Sequence, residues 1–455
     1  MAILLSNLNH PLRIPLAAEI HSRPFLKLDA PERVSHFAVY RDSLAEPFGS
    51  NQLVQQRLLA DLCLHFGVAA PSVEAKYFYH DFGRFRLKWE CHTEFATYTF
   101  AERIREPLPL AVAFASMPVL HLPETWLLGL EGKIMVAAHV VLERSAQSTA
   151  EFAEGLGSVF EVSRLVGSQV MQGGELWTDF AIHPSGFSQF VIRDAGMQTQ
   201  QAGRLVQRVL EIETYRMMAL LGLPFAQQAM AALNDIEGEL AALATAMVAT
   251  DAAADEAPAA LDGRTEQTML DNITRLAARI EKLSLENSYR FSAAKAYFRL
   301  VNARIDELRE VRLEAIPMVA EFMDRRLAPA MNTCAATASR QEALAQRIAN
   351  TNDLLRTRVG IVQELQNRQI LQSMNRRAAQ QLRLQQAVEG LSVAAISYYV
   401  VGLLSYEGKL VKALGWIGNP DIFVGALVPL VALGVWLGLR RLHKSLPVEQ
   451  KAHDA

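Results

Sequence analysis

The residues able to do chemistry lie far apart along the chain. His92 and Glu94 stand two apart in CHTEFATYTF (91–100). On a strand that spacing turns both side chains to one face, where an imidazole and a carboxylate could share a proton or coordinate a metal ion. His21 and Arg23, in EIHSRP (19–24), form a second polar pair, and His80, Asp81, Trp177, Asp179 and His183 are further polar or aromatic candidates. The plainer reading of histidines spread over strands is structural hydrogen bonding. No HExxH, CxxC, GxSxG, Walker or GxGxxG pattern occurs, so the chain reads as non-enzymatic and no cofactor is expected. Gly173-Gly174 is too little for a phosphate loop, and His183-Pro184-Ser185-Gly186 reads as a hairpin connection.

The elements that must position these residues change character along the chain. Residues 1–198 mix strand and helix patterns. Val34–Tyr40, Ala75–Phe82, Phe85–Phe100, Lys133–Leu142, Gly174–His183 and Phe187–Arg193 are rich in aromatic and β-branched residues and predict strands. The pair 75–82 and 85–100 meets at a tight Gly83 turn, which predicts antiparallel pairing. Ser50–Phe66 places Leu53, Leu58, Leu62 and Phe66 at helical spacing, with Ser50 or Asn51 as cap. The fold class expected is α+β: an N-terminal α/β domain with a largely antiparallel sheet, then long antiparallel coiled-coil helices and a C-terminal two-helix transmembrane hairpin.

From residue 199 to 389 the pattern is helical. Leu205, Val209, Ile212 and Met217 follow one stripe, Pro224 punctuates its end, and Val248–Gly263 reads as an exposed Ala- and Asp-rich loop. Met269, Ile273, Leu276, Ile280 and Leu283 repeat at spacings of four and three, continued by Ala294, Tyr297, Val301 and Leu308, which is a coiled-coil seam. Asn287 and Arg290 interrupt it with polar side chains of the kind that fix register. The partner expected is a helix from Arg340 to Glu389, carrying Leu344, Ile348, Leu355, Val362 and Leu365, with Pro317 and Pro329 breaking the segment before it. From Gln363 this helix turns rich in Gln and Arg and runs without Pro into the next apolar stretch as a stalk. Its arginines suit anionic lipid heads, or several copies could pack their amides around a vestibule.

Two uncharged stretches follow within 390–439: Gly390–Tyr406 and Ile422–Leu439. At about 1.5 Å per residue they reach roughly 25 to 27 Å, near the lower limit for crossing a bilayer. Arg376, Arg377 and Arg383 precede the first and Arg440, Arg441 and Lys444 follow the second, so the positive-inside rule puts both termini, including the basic tail 440–455, in the cytoplasm. Only the connection Glu407–Asp421 is then outside. Ser392, Tyr399, Gly402 and Tyr406 share a face of the first stretch, and Gly434 and Gly438 form a GxxxG pair in the second. These positions suit helix packing or, alternatively, a pore face. No Asp, Glu, Lys, Arg or His interrupts either stretch, which removes the usual mark of an ion-coupled transporter.

Composition agrees with this division. The 455 residues are 51% hydrophobic and 20% charged, with a formal charge of −3, enough to bury a large core and without the basic excess of a nucleic-acid binder. Cys63, Cys91 and Cys334 are far apart in sequence, which fits a reducing compartment rather than a disulfide framework. The N-terminus lacks the pattern of a secretory signal.

EIHSRP (19–24), CHTEFATYTF (91–100), EIETYRMMALLGLP (211–224) and SVAAISYYVVGLLSY (392–406) together resemble a proteobacterial family of uncharacterised membrane-anchored proteins, a domain-of-unknown-function family. The resemblance covers nearly the whole chain and implies an inner-membrane location with no established activity. The order of soluble domain, long helices, stalk, two spans and basic tail is also distantly similar in architecture to CorA-type magnesium channels. Their Gly-Met-Asn signature is absent: Gly415, Trp416, Ile417, Gly418 and Asn419 stand in the loop, so magnesium selectivity does not carry over. The expectation is a self-associating inner-membrane protein with a large cytoplasmic sensor or scaffold domain. Its partners would be the lipid bilayer, other copies of the chain and a cytoplasmic protein. The alternative is an oligomeric ion channel or transporter.

Overall fold

A computed structural model describes residues 9–14, 16–17, 24–41, 50–198, 200–256, 263–413 and 420–445. The chain divides into two compact units: Met1–Ala252 with Asp271–Asn352, and Ala253–Leu270 with Asp353–Ala455.

The first unit is built on a nine-stranded sheet in the order β2-β3-β4-β1-β5-β8-β7-β6-β9. Its strands are β1 (Glu32–Tyr40), β2 (Tyr77–Asp81), β3 (Arg86–Cys91), β4 (Phe95–Arg103), β5 (Lys133–Arg144), β6 (Val166–Val170), β7 (Gly174–Ile182), β8 (Ser188–Asp194) and β9 (Val311–Arg312). Every pairing is antiparallel except β5 with β8. The β2–β3 turn carries Gly83 at φ +82° and the β7–β8 turn carries Gly186 at φ +82°, conformations that a residue with a Cβ rarely adopts. The single strand expected over 85–100 is instead a hairpin. His92, Thr93 and Glu94 interrupt the apolar run, and the His92 amide closes the turn onto the Phe95 carbonyl at 2.8 Å.

Helix α1 (Ser50–His65) packs on one face of β3-β4-β1 through Leu59, Leu62 and Cys63, against Phe37, Trp89 and Tyr98. The expected stripe is shifted: Leu53 is 56% exposed, while Gln55 is buried and its side-chain oxygen accepts from the Tyr98 hydroxyl at 3.1 Å. Short helices α2 (Leu110–Ala115), α3 (Glu124–Leu128) and α4 (Thr149–Leu156) follow, α4 opening with a reciprocal Ser148–Glu151 capping box.

The other face is covered by α5 (Gln201–Leu220), whose Leu205, Val206, Val209 and Ile212 join Ala138, Val140, Phe190 and Ile192 in the main core. A close approach sets its seat. A Cβ on Gly203 would lie 1.9 Å from the Leu26 carbonyl oxygen, so only glycine lets α5 lie against the segment before β1.

Helix α6 (Gly222–Glu256) begins one residue after α5 ends, with Pro224 in its first turn, where no backbone N–H is needed. It continues through residues 248–256, which are therefore helix rather than loop, since alanines favour propagation there; the rest of the expected loop, 257–262, lies outside the described residues. Helices α7 (Gly263–Leu308) and α8 (Val319–Ala413) complete the set. The expected seam is buried at Met269, Ile273, Leu276, Ile280, Ala294, Val301 and Leu308. Its partner starts at Val319, not Arg340: Pro329 sits inside α8, where burial of Leu327, Met331 and Cys334 in the core outweighs one lost backbone bond. Arg340 reaches Glu237 of α6 at 2.5 Å and Gln341 reaches Ser284 of α7 at 2.9 Å.

In the second unit, α8 is buried at Leu355 and Val362, and every residue from 363 to 388 is exposed, so Leu365 among them is lost from the seam. Helix α8 passes without a break through the first uncharged stretch and on to Ala413, so 407–413 is helix rather than loop. The connection beyond it, 414–419, lies outside the described residues. Helix α9 (Pro420–Ser445) carries the second stretch, with Pro429 in its interior. Both helices are long and apolar enough to cross a membrane.

Candidate functional site

Backbone pairing in β3-β4-β1 sorts the side chains by parity. Phe37, Tyr98 and Trp89 are aligned across the three strands and enter the aromatic core under α1. One residue along, His36, Thr99 and Lys88 are aligned, and Thr97 lies opposite Glu90. These belong to the face that α5 covers, and a helix-covered sheet face is ordinarily apolar. On β5 and β8 the same face does carry Ala138, Val140, Phe190 and Ile192. On β3, β4 and β1 it carries a histidine, two threonines, a lysine and a glutamate instead.

The result is a cavity of about 260 Å³ between this polar patch and α5. His36, Lys88, Glu90, His92, Thr97 and Thr99 line it from the sheet. Gln207, Glu211, Thr214 and Tyr215 come from α5 and Arg304 from α7, and Leu26, Leu28, Val206 and Leu210 supply an aliphatic wall.

Its polar groups form a chain of bonds. Lys88, 4% exposed, sets its ammonium 3.0 Å from Glu90 Oε2 and donates to Gln207 Oε1 at 3.3 Å. Gln207 donates in turn to Glu211 Oε1 at 2.7 Å, and the other Glu211 oxygen accepts from Arg304. Arg304 also holds Glu307 at 2.5 Å. His36 sits at the floor with Nδ1 2.8 Å from the Thr99 hydroxyl and Nε2 3.1 Å from that of Thr214. Burial first, then the nearby Lys88 and His92 charges, lower its pKa from 6.5 to about 3, so the ring is neutral at physiological pH. The Thr97 hydroxyl is buried without a partner among the described residues.

The sequence candidates separate here. His92 lines the cavity and stacks on Phe95 with ring centroids 4.5 Å apart. Glu94 is committed elsewhere: Arg290 of α7 donates to Oε1 at 2.6 Å and the Tyr297 hydroxyl to Oε2 at 2.8 Å. Because both belong to a turn and not a strand, the two-residue spacing no longer sets them on one face. His21 and Arg23 lie outside the described residues. His183 is bonded to Asp179 at 3.2 Å, Trp177 donates to Glu175, and His80 packs against Phe82. Among the described residues no group of three or more His, Cys, Asp or Glu could hold a metal ion.

Lys88, Glu90, Thr97, Thr99 and His36 were not singled out from the sequence. Their signal is parity: in RLKWEC (86–91) and FATYTF (95–100) the polar residues alternate with large apolar ones, on strands whose two faces are both covered.

At the C-terminal end, Tyr399 and Tyr406 are exposed, and a Cβ on Gly402, Gly434 or Gly438 would meet nothing within 4 Å. Ser392 turns its hydroxyl back to the Val388 carbonyl at 2.8 Å. Lys409 lies over the Tyr406 ring at 5.5 Å and Arg440 over the Trp436 ring at 4.9 Å, pairings suited to the boundary between lipid and water.

The chain belongs to the family described as Protein of unknown function (DUF3422), whose model matches residues 8–446. No curated protein and no solved structure matches it.

Proposed function

Starting from membership of a family that assigns no activity, we propose that the protein is a non-enzymatic inner-membrane protein. In this reading the end of α8 and all of α9 anchor it, both termini are cytoplasmic, it self-associates through its helices, and its sheet domain is a sensor or scaffold. The observation that carries the reading is burial. The apolar windows of α8 and α9 are 0% and 6% buried, where a core helix of similar composition would be covered. Exposing Leu391, Leu403, Leu410, Leu430 and Leu437 to water is costly, and lipid removes that cost. The basic residues flanking the pair, with Trp436 and Tyr406 near its ends, support the orientation.

Self-association is supported by α8 before the membrane. Leu371, Met374, Ala378 and Leu382 recur at spacings of three and four on a stretch that is wholly exposed in a single chain. The non-enzymatic reading is supported by the engagement of the acid and base groups: both nitrogens of His36 and both oxygens of Glu94 are already bonded.

Three measurements test this. The protein should stay with membranes after an alkaline carbonate wash. In intact cells an impermeant maleimide should label Gly415→Cys and spare Ala452→Cys. Light scattering in detergent should give a defined oligomer. Release by carbonate removes the anchor, the reverse labelling removes the orientation, and a monomer at all concentrations removes self-association.

A further inference from the structure

The cavity beneath α5 is lined by charge of both signs in equal number: the buried Lys88 and the partly exposed Arg304 against the partly exposed Glu90 and Glu211. A phosphate ester or a dicarboxylate would leave this balance broken in a partly desolvated space, whereas a molecule carrying one charge of each sign preserves it. The groups also have unused capacity. Lys88 has three ammonium hydrogens and directs two, to Glu90 Oε2 and Gln207 Oε1. Glu90 engages Lys88 through Oε2, leaving Oε1 open among the described residues. The Thr97 hydroxyl, paired across the strands from Glu90, is buried and unpartnered. A buried hydroxyl without a partner is costly and calls for one. Opposite these groups, Leu26, Leu28, Val206 and Leu210 form a wall without charge.

We propose that this cavity binds a small zwitterion of the aliphatic α-amino-acid class. Its carboxylate accepts from Lys88 Nζ and the Thr97 hydroxyl, its ammonium donates to Glu90 Oε1, and its side chain lies on the aliphatic wall. The proposal rests on the reading of the sheet domain as a sensor and names what is sensed. About 260 Å³ suits a molecule of this size and is too small for a nucleotide.

The test uses the full chain in detergent and L-leucine as probe, followed by thermal shift and calorimetry. Two controls each lack one charge: 4-methylpentanoate has no ammonium and 3-methylbutylamine no carboxylate. L-Leucine should bind and raise the unfolding temperature, and each control should bind at least about tenfold more weakly, the loss expected for one charged hydrogen bond. Lys88→Met should abolish binding. Thr97→Val, which keeps the shape of the side chain, should weaken it about tenfold while leaving the unliganded unfolding temperature near that of the wild type. Equal binding of 4-methylpentanoate, absence of any L-leucine binding by the wild type, or unchanged affinity in a folded Thr97→Val protein would overturn the proposal. Carbonate extraction of the same preparation keeps the two ideas apart: a membrane-retained protein that ignores L-leucine sinks only the ligand, and a soluble one that binds it sinks only the anchor.

Discussion

Removing one partner of the Arg290–Glu94 pair should destabilise the first unit more than removing both. The two side chains are 2% and 3% exposed and 2.6 Å apart, and Arg290 also reaches the Tyr40 hydroxyl at 3.0 Å. Another of its guanidinium nitrogens, Nη1, is buried without a hydrogen bond. Glu94→Leu therefore leaves a guanidinium in a desolvated site opposite no carboxylate, and Arg290→Met leaves the reverse. Each should cost about 3–5 kcal/mol, the range for breaking a buried pair from one side. The double variant buries neither charge. What remains is the Tyr297 hydroxyl without its acceptor, at about 1–3 kcal/mol, and the Tyr40 hydroxyl without the Arg290 donor, so the double variant should be more stable than either single one. Urea unfolding of the full chain in detergent, followed through the buried Trp89, Trp126 and Trp177, reads the three variants against wild type. A double variant that loses the sum of the two single losses would refute the reasoning, because it would mean the two charges do not compensate each other.

Gly203→Ala should destabilise by about 1–3 kcal/mol or more, since its Cβ would collide with backbone at Leu26; a urea midpoint equal to wild type would show that α5 does not lie so close. Acidification should weaken the first unit. His36 and His139 have folded values near 3, so below about 6.5 the unfolded chain takes up protons that the folded one refuses. Stability is complete above pH 6.5 and falls toward pH 3, by up to about 1.4 kcal/mol per pH unit for each histidine; equal urea midpoints at pH 7.5 and 5 would contradict this. Glu143, raised by burial to about 7, acts oppositely, its stabilising contribution being lost as pH rises from its ordinary value toward 7. Cys63, Cys91 and Cys334 are all buried, and burial lifts the Cys63 thiol to about 11, so the native protein should not react with Ellman's reagent until it unfolds.

Periodicity made the long elements legible and hid what depends on distant packing. The α7 seam and the Gly83 hairpin declare themselves in local spacing, because apolar repeats and positive-φ turns are local properties. The turn at 92–94 contains no Gly, Pro or Asn, so an aromatic, β-branched run looked continuous across it, and with that the facing of His92 and Glu94 was misread. β6 pairs with the two-residue β9 at Ser168–Arg312 and Gln169–Val311, and beside that pairing the Ser168 hydroxyl donates to Glu310, 142 residues away; no window of sequence shows such a pairing. The cavity was missed for a related reason. Alternation in 86–91 identifies a strand with two unlike faces, but only α5, arriving more than a hundred residues later, turns the polar face into an enclosed one.

The polar face and the buried pair share one turn, and that gives the sensor reading its physical content. His92 lines the cavity while Glu94, two residues on, is held by Arg290 and Tyr297 of α7, and on the cavity's far side Arg304 of the same helix holds Glu211. A ligand that draws on Glu90 and Lys88 thus acts on a hairpin whose turn is held to α7 through Glu94, while Arg304, about four turns further along the same helix, holds α5 through Glu211. Binding can favour one arrangement of the hairpin over another only through its differential affinity for the two. The Arg290–Glu94 pair, desolvated and directional, is where such a difference would be largest, so Tyr297→Phe, which removes one bond and keeps the packing, should alter L-leucine affinity without abolishing it. Affinity identical to wild type in that variant would mean the cavity and α7 are energetically separate.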